Sequence, residues 1–130
     1  MLIYGHRFID SNSFYHVLDI DSISNTPPSS TIFVEFSEEN LNLINHITIN
    51  SITLAVQVKD ITQLIYASAL GASFIVIQKD LASIAQEIAN NYLFDAKVLV
   101  KIDDEDDIEE LAILGVDGVI FANAIIKINS

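Results

Sequence analysis

The chain contains no cysteine among its 130 residues. This absence excludes a disulfide framework, a thiolate zinc site and a cysteine nucleophile, and it favours the cytoplasm as the location. Basic residues are also scarce, because 6 Lys and Arg stand against 18 Asp and Glu, a formal net charge of −12 at pH 7. Such a charge repels phosphate backbones, so we expect no nucleic-acid partner.

Glycine and histidine are also few, with four and three residues respectively. Neither a glycine-rich phosphate loop nor a serine nucleophile with its histidine partner can be assembled from them. The longest uncharged apolar stretch, residues 64–77, is shorter than the ~20 residues that a membrane-spanning helix needs. The first ten residues lack the small-residue cleavage site of a signal peptide. We therefore expect no membrane segment and no signal peptide.

Apolar residues are abundant, at 51% of the chain with a mean hydropathy of +0.42. Ordinary soluble domains contain roughly 45–50% apolar residues, so part of this apolar surface is expected to be hidden in an assembly. The length suits a single domain, residues 1–130. A homodimer is the simplest assembly that would cover the excess.

From residue 31 onward, short β-branched runs alternate with segments of helical period, the pattern of consecutive βα units in a parallel sheet. Strands are predicted at residues 31–36, 52–58, 74–78, 97–102 and 118–122. Helices are predicted to begin after residues of favourable N-cap type, namely Ser37, Asp60, Asp80 and Asp103 or Asp104. Gly71 and Gly115 are expected to end two of these helices in the left-handed conformation.

These units repeat, because residues 54–77 can be superposed on residues 98–121 without a gap. We therefore interpret residues 31–127 as repeated βα units of roughly 20 to 24 residues. Residues 1–30 differ, since two apolar runs flank a polar turn and a connection rich in serine and proline follows. That segment predicts a hairpin, or a strand with a loop return, and a linker.

The segment "VQVKDITQLIYASALGASFIVIQKDL", residues 56–81, and the later segment "VLVKIDDEDDIEELAILGVDGVIFANAII" carry a family resemblance. They are similar to the last βα units of phosphate-binding TIM barrels, above all indole-3-glycerol phosphate synthase. The likeness covers about residues 54–127 and lies in scaffold features such as the apolar strands and the Leu-Gly helix ends. It implies barrel ancestry and a shared architecture.

The functional positions of that family are degenerate here. Its strand-end catalytic glutamate falls on Gln57, which cannot ionise, and its loop asparagine falls near Gln78. Its small phosphate-binding residues fall on residues 100–102 and on Ala122, whose side chains obstruct close backbone approach. The resemblance therefore implies shared architecture and argues against shared catalysis, so we expect a non-catalytic protein; we also expect no cofactor and no metal site.

The expected fold is α/β, with five or six mostly parallel strands alternating with helices, as part, about half, of a TIM barrel. A flavodoxin-like open sheet is the alternative. Because an eight-unit barrel takes about 250 residues, this chain is not expected to close one alone. The sheet should then stay open or be covered by a second copy, with Ile75 as an apolar residue on an exposed edge strand.

Four basic residues are candidates for a ligand site. His6 and Arg7 lie in the first apolar run of the N-terminal segment, and a similar His-Arg pair at the end of the first strand of glycerophosphodiester phosphodiesterases contacts phosphate. Lys79 and Lys101 lie at the carboxyl ends of later strands, the edge at which α/β sheets bind ligands. Lys101 could form a Schiff base if desolvated, although pairing with a carboxylate is the preferred interpretation.

Residues 103–110 hold seven carboxylates around Ile108. They could bind a hard cation, but the run lacks the glycine and spacing of a cation loop, so a solvated first helical turn is preferred. The leading functional hypothesis is a small protein that acts through self-association or protein binding. The alternative is an enzyme or binder of a small anionic, phosphorylated metabolite at the carboxyl edge of the sheet.

Overall fold

A computed structural model describes residues 1–128 and shows an α/β fold with an all-parallel sheet. The strands are β1 (Leu2–Tyr4), β2 (Phe14–His16), β3 (Thr31–Glu35), β4 (Leu54–Gln57), β5 (Phe74–Gln78), β6 (Lys97–Ile102), β7 (Gly118–Phe121) and β8 (Ile125–Lys127). The α-helices are α1 (Leu41–Ile49), α2 (Ile61–Ala69), α3 (Ala82–Asn91) and α4 (Asp107–Leu114). Within this described part of the chain, no helix is both long and apolar enough to cross a bilayer.

The strands are arranged in the order β1-β7-β6-β5-β4-β3-β2-β8. From β2 to β7 each strand lies beside the next one in the sequence, so the sheet winds in one direction. A flavodoxin-like sheet reverses direction at a switch point, so that alternative is wrong. The count of five or six strands is also wrong, because eight are present between residues 1 and 128.

The sheet is curled rather than flat. Phe121 ends β7 and Ile125 begins β8, and four residues of chain reach at most about 14 Å. In a flat sheet, the six strand spacings between β7 and β8 would separate them by about 29 Å. At the meeting point Asn123 Nδ2 donates a hydrogen bond to the Gly5 carbonyl oxygen at 2.9 Å. Thus β8 begins where β1 ends, and the two strands form a seam between β7 and β2.

The predicted N-terminal hairpin is not formed. Strand β1 pairs with β7, with Leu2 opposite Gly118, while β2 pairs with β3 on one side and β8 on the other. A local hairpin is replaced because both short strands gain parallel partners, and Phe14 of β2 becomes buried in the sheet interior. The prediction that Ile75 lies on an exposed edge strand was also wrong, since Ile75 is fully buried in β5 between β4 and β6. The need for a second copy to cover an open edge therefore loses its basis.

The two faces of the curled sheet support two apolar cores. On β5, Ile75 and Ile77 point outward to the helices, whereas Val76 points inward. The inner core takes residues from β2 to β7 and from the turn before β8, namely Phe14, Phe33, Ala55, Val76, Leu99, Ile120 and Ala124. This alternation fixes which strand-end side chains face the inside of the curl.

The helix ends agree only partly with the N-cap predictions. Asp60 caps α2, because its Oδ1 accepts a hydrogen bond from the Gln63 backbone N–H at 2.8 Å. Asp80 instead lies inside a 3-10 turn, Lys79–Leu81, which delays α3 to Ala82. Gly71 and Gly115 have φ values of 95° and 87°, as predicted for left-handed helix ends.

Replacing Asp60 by alanine should lower the free energy of unfolding by about 1 kcal/mol, because an orphan helical N–H loses its acceptor. Asp80→Ala is the matched control, since Asp80 precedes a helix but makes no capping hydrogen bond. Urea unfolding of both variants measures the difference. Equal losses in the two variants would contradict the assigned cap.

Candidate ligand site at the mouth of the curled sheet

The carboxyl ends of all strands meet at one edge because the sheet is entirely parallel. At this edge a layer of polar side chains lies above the inner core. Each polar residue follows an inward-facing apolar residue of the same strand by two positions, as His16 follows Phe14. We call this layer the polar mouth, and its members are His16, Glu35, Gln57, Gln78, Lys101 and Lys127.

Strand register places these residues in neighbouring pairs. Lys127 lies opposite His16, Glu35 opposite Gln57, and Gln78 opposite Lys101. Partners in a parallel pair project to the same face of a sheet, so all three pairs face the inside of the curl. The mouth therefore presents cations, one carboxylate and two amides on one face of the sheet at its carboxyl edge.

The electrostatics of His16 show that the charged residues of the mouth act on a common point. Burial lowers the pKa of His16, Glu35 raises it, and Lys127 and then Lys101 lower it further. The imidazole is therefore predominantly neutral at pH 7, and it packs edge-on against Phe33 with ring centroids 5.0 Å apart. Two lysines against one carboxylate leave the mouth with a local positive charge.

The two lysines of the mouth form no ion pair with the described part of the chain. Between residues 1 and 128, no carboxylate oxygen lies within 4.0 Å of the Lys101 or Lys127 amino group. The preferred pairing of Lys101 with a neighbouring carboxylate is therefore not found in this part of the chain. The apolar inner core lies beneath these lysines on the same face of the sheet.

His6 and Arg7 have a different environment. His6 Nε2 lies 2.7 Å from Glu105 Oε2, and Arg7 Nη1 donates to the same oxygen at 3.0 Å. The Phe8 backbone N–H donates to His6 Nδ1 at 3.1 Å, so Nε2 is the nitrogen that carries the proton toward Glu105. The hydrogen bond from His6, and then that from Arg7, lowers the pKa of Glu105.

The cleft around this ion-pair cluster has a volume of about 490 Å³ and is lined by Gly5, His6, Arg7, Asp103, Asp104, Glu105 and Phe121. Three of these residues are acidic, and Glu105 already occupies the guanidinium of Arg7. An anion would have to displace that carboxylate and then face two more. This cleft is therefore a poorer anion site than the polar mouth.

Lys79 is held by the acidic run. Its Nζ lies 2.8 Å from Asp107 Oδ1 and 3.2 Å from Glu110 Oε2, and hydrogen bonds to Asp107 and then Glu110 raise the pKa of Lys79. Asp104 accepts a hydrogen bond from the Asp106 backbone N–H at 2.9 Å. Several carboxylates of the run therefore bind protein groups rather than standing free in solvent.

Of the four predicted site residues, only Lys101 belongs to the polar mouth. His6 and Arg7 lie together at Glu105, and Lys79 lies at α4, so the four share one edge of the sheet but not one cleft. His16 and Lys127 were not predicted from the sequence as members of the site. A sequence pattern that could have indicated them is an inward-facing apolar residue followed two positions later by a polar residue. This pattern recurs at the strand ends.

Comparison with protein-family models gave no match for the chain. The search of curated proteins gave none either. The fold and the chemistry of the polar mouth are therefore the features that bear on function.

Removing the Glu105 charge should cost stability in a pH-dependent way. Because the pKa of Glu105 is lowered in the folded state, its stabilisation is present above the unfolded-state pKa, about 4.3. It is lost as the pH falls through the folded-state pKa. Glu105→Gln should therefore be less stable than the parent near pH 7, and the gap should close in acid.

Urea unfolding at several pH values tests this expectation. Glu109→Gln is the matched control, because Glu109 is an exposed carboxylate of the same acidic run without an ion pair between residues 1 and 128. A constant gap between Glu105→Gln and the parent across the titration would argue against the ion-pair cluster as the cause.

Proposed function

We propose that this chain is a non-catalytic protein that binds a small anionic metabolite, with phosphorylated sugars as the fitting class, at the polar mouth. The observation that carries the proposal is a pair of inner-rim lysines with no carboxylate partner among residues 1–128, in a chain of net charge −12. In α/β folds with parallel sheets, the carboxyl ends of the strands are where ligands bind.

The chemistry of the mouth suits an anion with polar substituents. Lys101 and Lys127 supply ammonium groups, and charge-assisted hydrogen bonds to phosphate oxygens are among the stronger protein hydrogen bonds. The amides of Gln57 and Gln78 supply further donors and acceptors for hydroxyl groups. Glu35 adds an acceptor, which favours a ligand that carries hydroxyls beside its anionic group.

A binding role is favoured over catalysis because of Gln57. The resemblance to phosphate-binding TIM barrels places a catalytic carboxylate at this strand end, and an amide cannot exchange a proton as a general acid or base. We infer barrel ancestry from the same resemblance, with the ligand held by a different set of residues. A cytoplasmic location and the absence of a nucleic-acid partner stay predictions from composition.

Anion binding at the mouth should strengthen as the pH falls. A bound anion stabilises the imidazolium form, so binding raises the pKa of His16 above its lowered value in the free protein. The added affinity is fully present at pH values below the pKa of His16 in the free protein. It is lost as the pH rises through the higher pKa that His16 has in the complex. Calorimetric titration with sulfate, which keeps its charge from pH 5.5 to 8, measures this slope over about the range in which histidine titrates; a sugar phosphate is unsuitable because its own second pKa lies near about 6.

Titration of the full chain with ribose 5-phosphate and with inorganic phosphate tests the site directly. Lys101→Gln and Lys127→Gln should each weaken binding about tenfold, equivalent to about 1.4 kcal/mol. Lys97→Gln is the matched control, because Lys97 is exposed at the opposite, amino-terminal end of β6. The proposal fails if the parent chain binds neither compound, or if Lys97→Gln weakens binding as much as the mouth variants do.

A further inference from the structure

The charge of the chain is distributed unevenly, and one face is almost free of it. Between Glu39 and Lys79 the only charged residues are Lys59 and Asp60, in a chain with 18 acidic and 6 basic residues. This interval contains α1 and α2, which lie next to each other outside β3 to β5. The outer surface of α2 in particular carries no charged side chain.

The same surface exposes apolar groups around a groove. Ile65 and Tyr66 of α2 are 46% and 53% exposed. Beside them lies a groove of about 480 Å³, whose only charged lining residue is Glu38 and whose walls are Phe36, Leu41, Tyr66, Ala69 and Leu70. We call these wall residues, together with Ile65, the α1–α2 face. It presents projecting apolar side chains next to an apolar depression.

We propose that two copies of this chain associate through the α1–α2 face. Each copy carries a net charge of −12, so two copies repel wherever their carboxylates are brought together. Contact through α4 would oppose its acidic first turn, which contains Asp107, Glu109 and Glu110. The α1–α2 face allows apolar surface to be buried with the least like-charge repulsion.

A second copy fits this face better than an unrelated protein does. A different partner of an acidic protein gains affinity and association rate by matching its carboxylates with basic residues. The uncharged face offers no carboxylates with which basic residues of such a partner could pair. A second copy of the chain, in contrast, avoids like-charge repulsion when it binds at this face. A two-fold arrangement lets Ile65 and Tyr66 of each copy approach the groove of the other.

The size of the face indicates a weak, reversible dimer. Each helix has nine residues and is therefore about 14 Å long. A surface of this size is smaller than the ~800 Å² per partner of a standard interface. We expect a dissociation constant in the micromolar range, and we expect added salt to strengthen the dimer by screening the repulsion between copies.

Sedimentation velocity of the full chain across a range of concentrations tests the proposal. The parent should shift from monomer to dimer as concentration rises, and more so in added salt. Tyr66→Glu and Ile65→Glu should each weaken association at least tenfold. Tyr92→Glu is the matched control, because Tyr92 is 75% exposed beyond the end of α3 and should dimerise as the parent does.

A monomer at every concentration would overturn the proposal, and so would equal weakening by Tyr66→Glu and Tyr92→Glu. Circular dichroism spectra matching the parent would show that the variants are folded. Binding of ribose 5-phosphate by Tyr66→Glu should equal that of the parent, since the mouth lies inside the curl. Loss of dimerisation and loss of metabolite binding are therefore separate results.

Discussion

Phe14→Ala should lower the free energy of unfolding by about 3–5 kcal/mol. The Phe14 side chain is 1% exposed, and its ring centroid lies 5.0 Å from that of Tyr4 and 5.2 Å from that of Phe74. Strand β2 is paired on both sides, so the backbone cannot easily collapse into the space left by the ring. Most of the cavity should therefore persist.

Chemical denaturation followed by far-ultraviolet circular dichroism measures this loss. Tyr92→Ala removes a comparable aromatic ring from an exposed position and should change the free energy of unfolding by no more than about 0.5 kcal/mol. If both truncations had the same small effect, Phe14 would not lie inside a closed core.

Gly118→Ala should destabilise the protein by about 3 kcal/mol, the upper end of the cost of overpacking. A Cβ atom at this position would lie 2.6 Å from the Leu2 carbonyl oxygen, 2.7 Å from Leu2 Cβ and 2.8 Å from Leu99 Cδ2. Two of these atoms belong to a neighbouring strand rather than to a flexible side-chain end, so β1 would have to move away from β7. The substitution therefore disrupts the pairing of β1 with β7 at the seam.

Gly115→Ala separates this steric effect from backbone strain. Gly115 has a φ of 87°, and no atom lies within 4 Å of an added Cβ, so only the left-handed conformation is penalised, by roughly 1–2 kcal/mol. The Leu2 amide donates a hydrogen bond to the Asp117 carbonyl oxygen at 2.9 Å. Hydrogen exchange of this amide should be faster than in the parent in Gly118→Ala but not in Gly115→Ala. Unchanged exchange there would mean that β1 does not depend on contact with Gly118.

The middle of the fold was predictable from local sequence signals. Strands β3 to β7 lie within one to two residues of the predicted ranges, because each is an apolar run flanked by helix signals. Strands β1, β2 and β8 have only three residues each, too few for a period to be recognised. Their place depends on pairing with distant strands, which local patterns do not record.

A residue of the candidate site was predictable only where the sequence of its own strand shows that it lies at a strand end. Lys101 follows an apolar strand and was identified, whereas His16 gains its role from Lys127, which lies opposite it on β8. The acidic run shows the same limit. It was predicted as a solvated helical turn, but Glu105 binds His6 and Arg7 from the other end of the chain.

The seam formed by β1 and β8 has a consequence for how the protein folds during synthesis. Strand β1 leaves the ribosome well before its partner β7 and its neighbour β8, which lie near the other end of the fold. Until these strands emerge, the aromatic residues of the inner core stay accessible to other chains and to chaperones. Pairing of β1 with β7 is therefore a late event of high sequence separation, which slows folding relative to a helical protein of equal length.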